Sequence, residues 1–151
     1  MDQELSDGIR VLARLALLAD RICAKSGISL VQYRLLFVIT EEPLRAGPLA
    51  DRLAVSRPTL TAAINALVDR GLVVREAVVG DGRGVKLRVT DDGAQVLDRV
   101  EHRIVGVLGI GASDDEVGRA MQGLVPLRRS LDMNLEATRR AHAVVDGRTG
   151  T

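Results

Sequence analysis

Aromatic side chains are nearly missing from this chain: in 151 residues there is no tryptophan, one tyrosine, Tyr33, and one phenylalanine, Phe37. A core must therefore come from Leu, Val, Ile and Ala, and the 46% hydrophobic content is enough to supply one. Cysteine is as scarce. Cys23 alone excludes an intrachain disulfide, and with only His102 and His142 beside it there are too few soft ligands for a structural zinc site. Neither histidine has a carboxylate or cysteine at metal-binding spacing, so both read as surface residues, and no metal or cofactor is expected. No apolar run approaches the roughly 20 residues of a membrane span, and the N-terminal stretch lacks the basic, apolar and small-residue order of a signal peptide. The expectation is a cytoplasmic protein without a membrane partner. Enzyme signatures are missing too: there is no Gly-x-Ser-x-Gly, phosphate loop or His-Glu-x-x-His, so catalysis is not expected.

What is present is unevenly distributed. The net charge is only +1, but Pro43 to Val89 holds eight Arg or Lys against four Asp or Glu, a local +4 that leaves −3 for the rest. Phosphate neutralisation depends on such a local surface more than on the whole-chain balance. The length fits one domain, or a small binding domain set in a helical one.

The basic stretch also carries the clearest local patterns. Leu49, Ala50 and Leu53 are apolar at helical spacing, and after a tight turn at Ala54 and Val55, Leu60, Ala63, Ile64 and Leu67 follow the i, i+3, i+4, i+7 rule. Ser56 is a good N-cap, Pro58 falls in the first turn where its missing N–H costs nothing, and Gly71 ends the helix. With that apolar face buried, Arg57, Pro58, Thr59, Thr61, Ala62 and Asn65 point outward, small or polar side chains suited to base edges. Leu72 to Val79 and Val85 to Thr90 have strand composition. The second strand alternates Val85, Leu87 and Val89 against Lys86 and Arg88, predicting one buried and one charged face. Between them Gly80-Asp81-Gly82-Arg83-Gly84 makes a turn with Arg83 as its only long side chain, able to enter a minor groove.

Helix, turn, helix and hairpin in this order resemble a winged helix-turn-helix, and the details resemble the MarR family of bacterial transcription regulators. That family's wing pattern is Asp-x-Arg, five residues, a Leu-Thr pair, and Gly three residues after the Thr. Here Asp81, Arg83, Val89, Thr90 and Gly93 stand at those places, with Val for Leu as the one departure. The resemblance covers roughly residues 5 to 140. It implies a mainly α fold with a small β-hairpin wing, a winged helix-turn-helix embedded in a helical dimerisation domain. Residues 29–90 would form the DNA-binding domain, 1–28 and 91–145 the dimerisation region, and 146–151 a disordered tail. Implied partners are double-stranded DNA, a second copy of the chain in a homodimer, and a small aromatic or phenolic effector in the crevice near Tyr33 and Phe37. On this expectation Arg57, Thr59, Thr61 and Asn65 meet bases or adjacent phosphates, and Arg83 meets the minor groove. Ser56, Lys86 and Arg88 fix register on phosphates, while Asp81 orients a basic side chain within the wing.

The flanking segments agree. Leu5 to Lys25 reads as one long helix with two apolar stripes, Leu5-Ile9-Leu12-Ala16-Ala19-Cys23 and Val11-Leu15-Leu18-Ile22, which predicts two packing partners and self-association. Ser29 caps a helix from Leu30 to Thr40, which Glu41, Glu42 and Pro43 should break. Tyr33 and Phe37 share a side of it, and Tyr33 reads as a half-buried core residue with a polar tip ahead of a pocket wall with a hydroxyl to offer. Cys23 reads as a small core residue. Thr90 caps a helix striped by Ala94, Leu97, Val100, Ile104 and Leu108, and Ser113 with Glu116 opens a last helix through Leu135 that Pro126 should bend. The competing function is a winged-helix module that docks proteins without binding DNA. The polar tips of Arg57, Thr59 and Asn65 argue against it, because a docking face should be more apolar.

Overall fold

The structure, a computed structural model, describes residues 2–41, 46–77, 85–128, 130 and 131, with residues 46–48 described in backbone only. Among these residues the elements run α1 (Gln3–Lys25), α2 (Leu30–Glu41), α3 (Ala46–Leu53), α4 (Arg57–Asp69), β1 (Val73–Ala77), β2 (Val85–Val89), α5 (Asp91–Leu108) and α6 (Asp114–Leu124). Central to them is α2, which touches α1, α3, α4, α5 and β2. Its Leu35, Leu36, Val38 and Ile39 are all buried, so more than one face of the helix meets core. The strands pair antiparallel, Val73 opposite Val89 through Ala77 opposite Val85. No single helix among the described residues is long and apolar enough to cross a membrane.

Local chemistry sets most boundaries. Ser29 accepts from the Gln32 backbone N–H while the Gln32 side chain accepts from the Ser29 N–H, a reciprocal cap that opens α2. Ser56 accepts from the Thr59 N–H to open α4, and Ser113 and Glu116 complete the same kind of box at α6. Three helices end alike, with a left-handed residue and an N–H reaching back five residues: Ile28 to Cys23, Val55 to Ala50 and Leu72 to Leu67. The left-handed residues are Gly27 and Gly71 in two cases and Ala54, at φ 52°, in the third. In the turn between α3 and α4, then, a Cβ sits where glycine is the usual choice.

Burial outweighs capping in holding α4. A cap contributes about 1 kcal/mol, whereas each large apolar side chain fully buried contributes about 1.5–3 kcal/mol. Leu60, Ala63, Ile64 and Leu67 all face the core. Arginines then tie the layers together. Arg70 donates to the Gly27 carbonyl at 2.6 Å, and Arg103 to the Ser26 hydroxyl at 3.1 Å, so the end of α4 and the middle of α5 are fastened to the corner between α1 and α2.

Several expectations need correcting. Val85 is exposed rather than buried, because β2 leaves the core at that end; Leu87 alone is fully covered there and Val89 partly so. Ala94 is exposed as well, and the buried side of α5 runs through Gly93, Val96, Leu97 and Val100, set by contact with β2 and α2. α2 continues through Glu41. The last helix is not continuous: α6 stops at Leu124, a turn holds Val125 and Pro126, and helical backbone resumes at Leu127. Proline cannot supply the N–H that the ladder needs there, so the expected bend is a break. Glu42, Pro43, the hairpin turn with Asp81 and Arg83, Leu135, His142 and the tail lie outside the described residues.

Candidate nucleic-acid interface

α4 presents two unlike faces. Inward are its four buried apolar residues; outward, Ser56, Arg57, Pro58, Thr59, Thr61, Ala62 and Asn65 are all exposed, as the periodicity requires. Three of the polar tips are already engaged. The Ser56 and Thr59 hydroxyls lie 2.7 Å apart, either able to donate, so the cap also orients Thr59. Asn65 accepts at Oδ1 from Arg75 Nη2 at 2.6 Å. Arg57 has no hydrogen bond or ion pair among the described residues, leaving its guanidinium available at the start of the helix.

Arg75 was not among the residues expected at this surface. Sequence periodicity assigns it only a place on β1; the hairpin register sets it opposite Leu87, and the packing of β1 on α4 brings it to Asn65. On the other face of the hairpin Lys86 and Arg88 are exposed, as expected, but they are not alone. Glu76 stands opposite Lys86 and accepts from Arg88 Nε at 2.6 Å. One cation of the wing is therefore partly neutralised within the hairpin.

The hairpin leads back into the helices through a close contact. The Thr90 hydroxyl donates to the Gly71 carbonyl at 2.7 Å and accepts from the Gly93 N–H at 3.1 Å, so one side chain joins the end of α4 to the start of α5. Thr90 also donates its backbone N–H to Leu72, at 3.1 Å. A Cβ on Gly93 would overlap that Leu72 carbonyl oxygen and lie 2.8 Å from Val89 Cγ1. The Thr and Gly of the wing pattern thus have a physical role: they let the first turn of α5 sit directly on the strand entry.

Comparison with known proteins agrees with this geometry. Residues 26–84, from the corner after α1 to the residue before β2, match the model of the MarR family. Over that stretch the chain is MarR-like. A Thauera aromatica protein whose name assigns it to transcriptional regulation of the hcr operon is 32% identical over 88 residues, which cover 58% of this chain and 53% of that one. The match thus spans about half the length of that curated relative. Among solved structures, NadR in complex with 4-hydroxyphenylacetate superimposes with a TM-score of 0.66 at 25% identity, covering 87% of this chain and 94% of NadR. A point mutant of S. aureus MepR, bound to an oligodeoxyribonucleotide, gives 0.58 at 17% identity over 87% and 99%, a likeness of fold.

The remaining candidate residues separate into two groups. Tyr33 and Phe37 do share a side of α2, with ring centroids 5.8 Å apart and planes tilted by 59°. They face different surroundings. Phe37 lines a cavity of about 310 Å³ together with Arg34, Val38, Arg52, Leu53, Leu124, Arg128 and Leu131. Tyr33 is not part of that lining; its hydroxyl points to Glu101 on α5, at a long 3.5 Å. Burial, and next the negative charge of Glu101, push the Tyr33 phenol up to about 12. Glu41, also in the lining, pairs with Arg128 at 2.8 Å and with Arg52 at 3.6 Å.

Cys23 is fully buried in the core, and its thiol is pushed up, first by burial and then by Asp20. That is the reverse of the lowered value a thiolate sensor requires. His102 is exposed and pairs with Asp98 one helical turn away. Among the described residues no three His, Cys, Asp or Glu side chains gather as metal ligands.

Proposed function

We propose that this protein is a MarR-type regulator of transcription, a sequence-specific homodimer acting as a repressor on a near-palindromic operator in double-stranded DNA. The observation that carries the reading is the division of α4, apolar and buried on one face, polar and exposed on the other from Ser56 to Asn65. In this reading residues 29–90 bind DNA, and 1–28 with 91–145 hold the dimer. Two copies of α4 enter successive major grooves about 34–36 Å apart. Arg57, Thr59, Thr61 and Asn65 meet base edges, Ser56, Lys86 and Arg88 meet phosphates, and Arg83 reaches the minor groove with Asp81 steadying the wing.

Dimerisation is supported by apolar surface that one copy leaves uncovered. Leu5, Ile9 and Leu12 on α1 are 44–59% exposed and line an apolar groove of about 650 Å³ whose far wall is Val117, Met121 and Leu127. Single copies of soluble proteins seldom leave so much contiguous apolar surface in water. An effector that releases DNA would enter the cavity at Phe37, where one ring and several aliphatic side chains sit among Arg34, Arg52 and Arg128, with Glu41 pairing the last two and Arg34 standing beside them. That lining suits an aromatic acid of the kind NadR is bound to. Wedged between α2, α3 and the segment after Pro126, such a ligand would hold the two recognition helices at a spacing the operator does not match.

The test is selection from a random DNA pool followed by titration of the enriched site at two salt concentrations. Enrichment of an inverted repeat, bound by two protomers with strong salt dependence, supports the reading. Binding to no DNA even at low salt would overturn it in favour of a protein-docking winged helix.

A further inference from the structure

Among the described residues Arg75 and Asn65 form the one side-chain hydrogen bond between the recognition helix and the hairpin, Nη2 to Oδ1 at 2.6 Å. Both residues are exposed, but the arginine stem starts from a fixed place, a paired strand position opposite the buried Leu87. A guanidinium carries donors only, whereas an asparagine amide has one accepting and one donating end. The oxygen of Asn65 must therefore face Arg75, and its Nδ2 with two N–H donors must face the other way. The rotation of the amide, which a lone asparagine is free to reverse, is set here by the strand.

We propose that Arg75 is a positioning residue for base readout, and that through it Asn65 reads guanine and not adenine. The inference rests on the DNA-binding reading above and specifies its chemistry. An unconstrained asparagine pairs with adenine by donating to N7 and accepting from the N6 amino group. With the oxygen end of its amide turned to Arg75 on the strand, Asn65 presents its amino end, with two N–H donors, to the bases, and the second lone pair of the oxygen is turned from the groove with it. Guanine presents N7 and O6, two acceptors, and matches; adenine sets its own N6 donor against the amide donors. Neither residue is in the core, so replacing Arg75 leaves the fold intact.

The experiment is operator selection and titration with wild type, Arg75→Ala, Arg75→Lys, Asn65→Ala and the double variant Arg75→Ala with Asn65→Ala. The base that Asn65 reads is the position in each half-site whose preference disappears in Asn65→Ala. At that position wild type should select guanine. Arg75→Ala should let the amide turn and accept adenine, lowering the guanine-to-adenine ratio by about tenfold, the scale of one bidentate contact. Arg75→Lys, which still donates to the oxygen, should restore guanine. In the Asn65→Ala background the Arg75→Ala change should alter no base preference, because the two residues act as one unit. A uniform loss of affinity on all sequences in both backgrounds, with the salt slope reduced by about one, would make Arg75 a phosphate contact and overturn the proposal. Adenine selected by wild type at that position would overturn it too. If wild type enriches no sequence at all, the DNA-reading function itself fails, and this inference with it.

Discussion

Replacing Gly93 with alanine tests the joint between wing and helix. In a helix interior, Gly to Ala normally stabilises by about 0.8–1 kcal/mol. Gly93 is in the first turn of α5, but an added Cβ would overlap the Leu72 carbonyl oxygen and press on Val89 Cγ1 at 2.8 Å. Leu72 is backbone in a hydrogen-bonded corner and cannot rotate away as a side-chain tip would. Overpacking of this kind costs about 1–3 kcal/mol, and moving the carbonyl endangers the Thr90-to-Leu72 hydrogen bond, worth about 1 kcal/mol more. The clash outweighs the propensity gain, for a net loss of about 1–3 kcal/mol. Gly106 lies on the same helix with nothing within 4 Å of an added Cβ, so Gly106→Ala serves as the internal control and should gain up to about 1 kcal/mol. Urea unfolding of the three proteins at one protomer concentration reads both effects. Gly93→Ala as stable as wild type would refute the close-approach explanation.

Four further outcomes follow from other parts of the molecule. As the sole tyrosine, Tyr33 gives an unambiguous ultraviolet titration, and its midpoint should lie near 12 instead of 10. Because the folded state holds that proton more tightly, its contribution to stability is intact below pH 10 and is lost as pH rises towards 12; Tyr33→Phe should flatten this loss. Ala54→Gly should raise stability by about 0.5–1 kcal/mol by relieving a left-handed alanine, and thermal unfolding that shows a decrease would contradict that assignment. Glu76→Gln should free Arg88, tightening DNA binding and steepening its salt dependence by about one ion; an unchanged salt slope would mean that Arg88 does not meet phosphate. Cys23 should resist a thiol reagent in the native protein and react on unfolding, and rapid native labelling would show that α1 opens.

Helix ends and faces in the reading unit were legible because each has a local cause. Ser56, Pro58 and Gly71 delimit α4 by capping chemistry, and 3.6-residue periodicity separates Leu60, Ala63, Ile64 and Leu67 from Arg57, Thr61 and Asn65. Periodicity was less reliable where burial depends on a distant neighbour. Ala94 and Val85 are apolar in the expected rhythm yet exposed, since nothing among the described residues packs over them. Composition marked the hairpin as basic but could not pair its charges, and the Arg88–Glu76 contact depends on strand register. The wing pattern revealed Thr90 and Gly93 without their reason, which is the Leu72 carbonyl twenty-one residues before Gly93. Likewise Tyr33 and Phe37 stand one helical turn apart, but only the placement of α5 and of the segment after Pro126 gives them different surroundings. The sequence by itself determined what local interactions can encode: which segments are helices, where they cap, and which face of α4 is polar. Tertiary structure alone decided which of those polar groups are already spoken for, because a hydrogen bond such as Arg75 to Asn65 requires two elements to be held at a fixed distance, and no local pattern carries that information.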